Sequence, residues 1–95
     1  MNHLGDKLRK LREEKGLLLR QVAAYLEVDT AFVSKVERGE RKAQREQVVK
    51  LESYLAVETN ELLILWLADR INETITDKNI GSKALEIVKK DLSIK

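Results

Sequence analysis

Apolar residues recur at helical spacing along nearly the whole chain. Leu4, Leu8 and Leu11 fall at i, i+4 and i+7, which predicts an amphipathic helix from about Leu4 to Lys15 with Lys7, Arg9 and Lys10 off its apolar stripe. Gly16 is placed to end it as a C-terminal cap. Val22, Ala23 and Leu26 mark a short second helix, and Val28 fills the space beneath the turn that follows. Asp29 can cap a third helix by accepting hydrogen bonds from its first free amides, with Val33 and Val36 pointing inward and Gly39 closing it. A fourth helix is predicted over about Gln44 to Leu55, burying Val48, Leu51 and Leu55. A fifth starts at Thr59 or Asn60 and runs to about Ile75, and a sixth carries Ile80, Ala84, Ile87 or Val88, and Leu92 on one face. Thr76 to Asn79 is the expected hinge between them.

Proline is absent, and the short apolar runs that could form strands also fit helical spacing, so the expected class is all-α. A length of 95 residues suits one compact domain with a modest core, to which pairing with a second copy would add burial. Cysteine is absent, which removes disulfides, thiolate metal sites and Cys nucleophiles together. The longest near-apolar run, Leu62 to Ala68, is too short to span a bilayer and lacks the flanks of a secretory signal, so no membrane role is expected and the cytoplasm is the default compartment. His3 is the single histidine and lies near the terminus, the carboxylates are spread along helix surfaces, and no Gly-rich phosphate loop exists. The chain therefore does not read as an enzyme; no catalytic residue, metal or cofactor is expected.

Charge is unevenly placed. The formal net charge is +2, but residues 1–45 hold 11 Lys and Arg against 7 Asp and Glu, net +4, whereas residues 46–95 hold 7 against 9, net −2. The basic half is the one in which two short helices flank a tight turn, from Leu19 to Glu37, followed by Arg38, Gly39, Glu40, Arg41 and Lys42. That arrangement reads as a helix-turn-helix, which lays its second helix in the major groove of duplex DNA while the surrounding cations neutralise phosphates.

The order and spacing of several marks then resemble a known family, the lambda-repressor-like or XRE helix-turn-helix regulators of bacteria and phages. They are Lys15-Gly16-Leu17, Val22-Ala23, Leu26 with Val28, Val33-Ser34, and Val36-Glu37-Arg38-Gly39-Glu40-Arg41, and the likeness covers about Leu4 to Leu63. The resemblance implies a compact five-helix DNA-binding fold with a C-terminal helical extension. The helix-turn-helix DNA-binding domain is expected at residues 1–57, and the extension, serving dimerisation and packed on the same core, at 58–95. It also implies an ion pair between Arg12 and Glu37 that fixes the angle of the third helix, where an arbitrary Arg and Glu would be two solvated charges. By the same resemblance, Thr30, Ala31 and Lys35 occupy the positions that most often touch bases. Thr and Ala methyls suit thymine methyl groups, Lys35 can donate to guanine, and Ser34 lies on the same exposed face. Phe32 either packs on thymine methyls or folds back over the core, and the second is favoured for a lone aromatic beside core positions.

Arg38, Arg41, Lys42 and Arg45 are expected at phosphates, where they position rather than specify. Two positions depart from the family pattern. Glu27 stands at a turn position usually given to Gly, and the second helix starts with Leu17-Leu18-Leu19-Arg20 in place of a polar cap and a Gln. Arg20 or Gln21 supplies the phosphate contact there, or the helix contributes only its N-terminal amides.

Beyond Glu58, the run Leu62 to Leu67 covers more than one face of a helix, so part of it needs cover from the sixth helix, a second protomer or both. Leu65, Trp66, Leu67 and Ile71 are the residues expected at a homodimer interface, although Trp66 serves equally well as an intramolecular core residue. Paired reading heads would then face half-sites about 34 Å apart. The expected function is a sequence-specific transcription regulator, a repressor holding a palindromic operator as a homodimer. The alternative is an antitoxin or restriction-modification controller type of protein whose C-terminal apolar face binds a partner protein.

Overall fold

The computed structural model describes residues 2–93, which form six helices and no strand: α1 (His3–Glu14), α2 (Leu19–Leu26), α3 (Thr30–Glu37), α4 (Arg45–Tyr54), α5 (Glu61–Thr74) and α6 (Lys78–Asp91). Met1, Ile94 and Lys95, the outermost residues of the two expected segments, lie outside the described residues.

Local hydrogen bonding explains where the helices start. Asp29 Oδ1 accepts from the Phe32 amide at 2.7 Å and Asp77 Oδ1 from the Ile80 amide at 3.0 Å, so each carboxylate caps its own helix and faces the positive end of its dipole. Asp77 thereby shortens the expected hinge to Ile75, Thr76 and Asp77 itself. α2 and α4 use glutamines instead: Gln21 Oε1 accepts from the Leu18 amide at 2.7 Å and Gln47 Oε1 from the Gln44 amide at 2.8 Å.

α5 has no cap of its own. Asn60 precedes it with a left-handed backbone, and the cap comes from α4, where the buried Glu52 Oε2 accepts from the amides of Leu62 and Leu63 at 2.9 and 3.0 Å. α5 in turn caps α1, because Asp69 accepts from the amides of His3 and Leu4 at 3.0 and 2.9 Å. These carboxylates dock helix N-termini that would otherwise leave free donors.

The core is continuous across five helices. Leu4, Leu8 and Leu11 of α1 meet Val22, Ala23 and Leu26 of α2, Val33 and Val36 of α3, Val48 and Leu51 of α4 with Leu55 after it, and Leu62 of α5. Gly5 permits a close approach of α1 to α3: a Cβ there would lie 2.5 Å from the Val36 carbonyl oxygen, so a side chain would push the two helices apart. Asn2 closes the same corner, its Nδ2 donating to the Glu37 carbonyl at 2.8 Å.

In the C-terminal segment, expected to pack on the same core, α5 does so through the fully buried Leu62, whereas of the residues of α6 only Gly81 is buried, against Ile75 just after α5. The radius of gyration, 15.0 Å, exceeds the ~12 Å of a compact domain of this length, as a projecting last helix requires. The result is a five-helix body and a sixth helix standing off it.

Candidate nucleic-acid interface

The turn between α2 and α3 is built on Glu27, whose backbone is left-handed at φ 59° and ψ 44°. That geometry lets the Val28 amide donate to the Ala23 carbonyl at 3.0 Å, and Val28 then packs against the core. Ala23 is buried in the core on α2, which packs against α3, so a larger side chain there would strain that packing.

The inner end of α3 is fixed from α1. Arg12 Nε donates to Glu37 Oε2 at 2.7 Å and Nη2 to Oε1 at 3.1 Å, a two-pronged contact, while Nη1 donates to the Leu17 carbonyl at 2.9 Å. Three elements are thus tied by one guanidinium. The hydrogen bond to Glu37 is the main cause that raises the Arg12 pKa above the ordinary arginine value, against the opposing effect of burial.

With one face of α3 locked inward, the other is left open. Thr30, Ala31 and Lys35 are exposed and Ser34 is half-buried. Phe32 folds back onto the core, and the Arg41 guanidinium lies 5.2 Å from its ring centre. Val28, Asp29, Ala31, Phe32, Lys35 and Arg41 line one shallow concavity, which brings two expected base-reading residues beside an expected phosphate ligand. The amides of Glu40 and Arg41 both donate to the Lys35 carbonyl, at 2.8 and 3.3 Å, so the segment after α3 curls back toward this face.

The remaining cations differ in freedom. Arg20 and Arg45 are exposed, Arg38 makes a loose 3.5 Å pair with Glu40, and Lys42 is held 2.6 Å from Glu73 of α5. Gln21 is exposed, but its carbonyl oxygen caps α2, which leaves its amide nitrogen to face outward ligands.

Of the four residues expected at a dimer interface, Leu65 and Trp66 pack against this chain's own core, while Leu67 and Ile71 are exposed. Trp66 Nε1 donates to the Ala43 carbonyl at 2.8 Å, and the Arg70 guanidinium lies 4.9 Å from the Trp66 ring centre. Trp66, Asp69, Arg70 and Glu73 therefore form one α5 stripe that holds the start of α1 and the segment after α3. Sequence reasoning missed this role. The signal was their spacing of three, four and seven residues opposite the apolar stripe.

Residues 8–62 match the helix-turn-helix family. The chain belongs to that family. It is XRE-like, similar to the HTH-type transcriptional repressor RghR of Bacillus subtilis, with 38% identity over 50 residues that span 53% of this chain and 37% of that protein. It is also similar to the HTH-type transcriptional regulator DdrOP3 of Deinococcus deserti, with 32% identity over 60 residues, 63% of this chain and 46% of that one. The chain thus spans less than half the length of these two relatives.

Among solved structures it is similar to the restriction-modification controller protein C.AhdI from Aeromonas hydrophila, with a TM-score of 0.59 and 36% identity over 64% of this chain and 92% of that one. It is similar too to the clp gene regulator ClgR from Corynebacterium glutamicum, with a TM-score of 0.61 and 27% identity over 96% of this chain and 83% of that one. A likeness of that extent takes in α6.

Proposed function

We propose that this chain is a sequence-specific DNA-binding transcription regulator of the cytoplasm, a repressor that occupies a palindromic operator as a homodimer with α3 in the major groove. The observation that carries the proposal is the two-sided character of α3. Its inner end is locked by Arg12 and Glu37, and its outer face offers Thr30, Ala31, Ser34 and Lys35 beside a segment rich in cations. A reading helix needs this combination, because base contacts discriminate only when the helix is held at a fixed angle in the groove. Arg20, Gln21, Arg38, Arg41, Lys42 and Arg45 serve phosphates, with Lys42 shared between the DNA and Glu73. The names of the relatives, a repressor and a regulator, support this reading.

Selection of fragmented genomic DNA on the purified protein tests it. A recurrent site with two-fold symmetry is the expected result. Absence of enrichment at moderate salt overturns the regulator reading and turns attention to a protein partner.

A second reading is favoured by the similarity to C.AhdI, which extends over 92% of that controller's length. In it the chain is a restriction-modification controller, using the same face of α3. The antitoxin alternative draws on the apolar residues exposed on α5 and α6, and is tested by whether a co-expressed partner protein is needed for solubility.

A further inference from the structure

Among the described residues, α6 is the helix least covered by the rest of the chain. α6 is 14 residues long, a length at which an isolated helix is marginal in water, and its apolar arc is almost wholly open. Ile80, Ile87 and Leu92 are 69%, 64% and 68% exposed, and Leu85 and Val88 are exposed beside them. The facing side of α5 carries a second stripe at helical spacing, Ile64 (66% exposed), Leu67 and Ile71, which Ile75 continues past the end of the helix. Within one chain the two stripes meet only near their junction. There Gly81 touches Ile75, and Ile71, Thr74, Ala84, Leu85 and Val88 line an open apolar groove that Ile80, Ile87 and Leu92 do not enter.

Together these residues expose apolar surface on the order of the ~800 Å² that one partner gives to a standard protein interface. The largest patch on a typical monomer is about 300–600 Å². The stripes also match in length: 64 to 75 and 80 to 92 each cover about 16–18 Å at 1.5 Å per residue.

Charge chooses between the ways two copies can pair. α6 holds Lys78, Lys83, Lys89 and Lys90 against Glu86 and Asp91, net +2, and α5 holds Glu61, Asp69 and Glu73 against Arg70, net −2. Packing α6 on α6 would crowd eight lysines together, whereas α5 adds no such crowding, its own carboxylates being held within the chain, Glu61 by Lys7, Asp69 by the first amides of α1 and Glu73 by Lys42.

We infer that α6 is an exchanged arm: in the homodimer, α6 of each copy lies along the Ile64–Leu67–Ile71–Ile75 stripe of the other. The inference rests on the homodimer put forward above and assigns its surface, moving it from Leu65 and Trp66 to the outer side of α5 and to α6. Because α5 also holds the segment carrying Arg41 and Lys42, the arm sets the placement of the two reading heads.

The test is the solution mass of the full chain without DNA, by light scattering or sedimentation, together with the variants Ile87→Asp, Ile64→Asp and Leu18→Asp. Leu18 is exposed at the start of α2, a helix whose main contacts are with α3 and α4. The expected result is a wild-type dimer, monomers for the Ile87 and Ile64 variants, and a dimer for the Leu18 variant. Thermal unfolding of the monomeric variants is expected to remain cooperative, since Ile64 and Ile87 lie outside the core. Dimers for both Ile variants overturn the arm and leave the homodimer standing on another surface. A monomeric wild type at micromolar concentration overturns arm and homodimer together, while the genomic selection judges DNA binding separately.

Discussion

The indole nitrogen of Trp66 and the carbonyl oxygen of Ala43 are 2.8 Å apart, so α5 holds the chain at the point where it passes from α3 to α4. Ala43 is itself buried, and Arg41 and Lys42 immediately before it are exposed. The bond therefore links core packing to the presentation of two cations. Trp66→Phe keeps an aromatic ring and removes the donor. It is expected to cost about 1 kcal/mol in urea unfolding, a typical net hydrogen-bond value, and to weaken binding to specific and random duplexes by similar factors.

The Arg12 and Glu37 pair is the strongest single constraint on the angle of α3. Removing one partner by Arg12→Ala or Glu37→Ala is expected to destabilise the fold by about 3 kcal/mol, at the low end for buried pairs, because the Arg12 side chain retains 13% exposure. The double substitution should cost less than the two single ones added, which a double-mutant cycle measures. Arg12→Lys keeps the charge but loses the fork, so it should recover little.

The pH dependence of that pair follows from the direction of the Arg12 shift. A cation whose folded pKa lies above its unfolded value contributes stability fully below the unfolded pKa and loses it only as pH rises through the folded one. Both lie at the alkaline extreme. Arg12 should therefore add no slope to stability between about pH 6 and 10, so the stability difference between wild type and Arg12→Ala should carry no alkaline decline from this residue.

Lys35 and Arg41 border the same concavity but are assigned different tasks. Lys35→Ala is expected to lower the ratio of operator to random-duplex affinity by about 1–3 kcal/mol, whereas Arg41→Ala should weaken both alike and reduce the salt slope by about 1. Titrations of the two duplexes over a range of salt concentrations check this, and equal losses from both substitutions would remove the distinction.

Glu27 adopts a left-handed backbone that costs a non-glycine residue about 1–2 kcal/mol. Glu27→Gly relieves it, offset in part by the greater freedom of glycine in the unfolded chain. A net gain of about 0.5–1 kcal/mol in thermal unfolding is expected, with no change in the duplexes preferred.

The sequence by itself determined the six helices, the inward residues Leu4, Leu8, Leu11, Val33, Val36, Val48 and Leu51, and the cap at Asp29. These follow from a 3.6-residue period and from hydrogen bonds spanning three residues, which any reading of neighbours along the chain can find. The pairing of Arg12 with Glu37 came from family likeness, since residues 25 apart carry no local sign of contact.

Only the tertiary structure decided the long-range polar bonds: Glu52 capping α5, Asp69 capping α1, Trp66 holding Ala43 and Glu73 holding Lys42. Each joins α5 to α4, to α1 or to the segment before α4, and its carboxylate or indole looks in the sequence like an ordinary polar residue on a helix surface. The same holds for α5 and α6. Their apolar residues were visible, but which stripe fills the core and which stays open depends on how α5 rotates against α1 and α4. Packing fixes that rotation through Leu62, and periodicity alone does not.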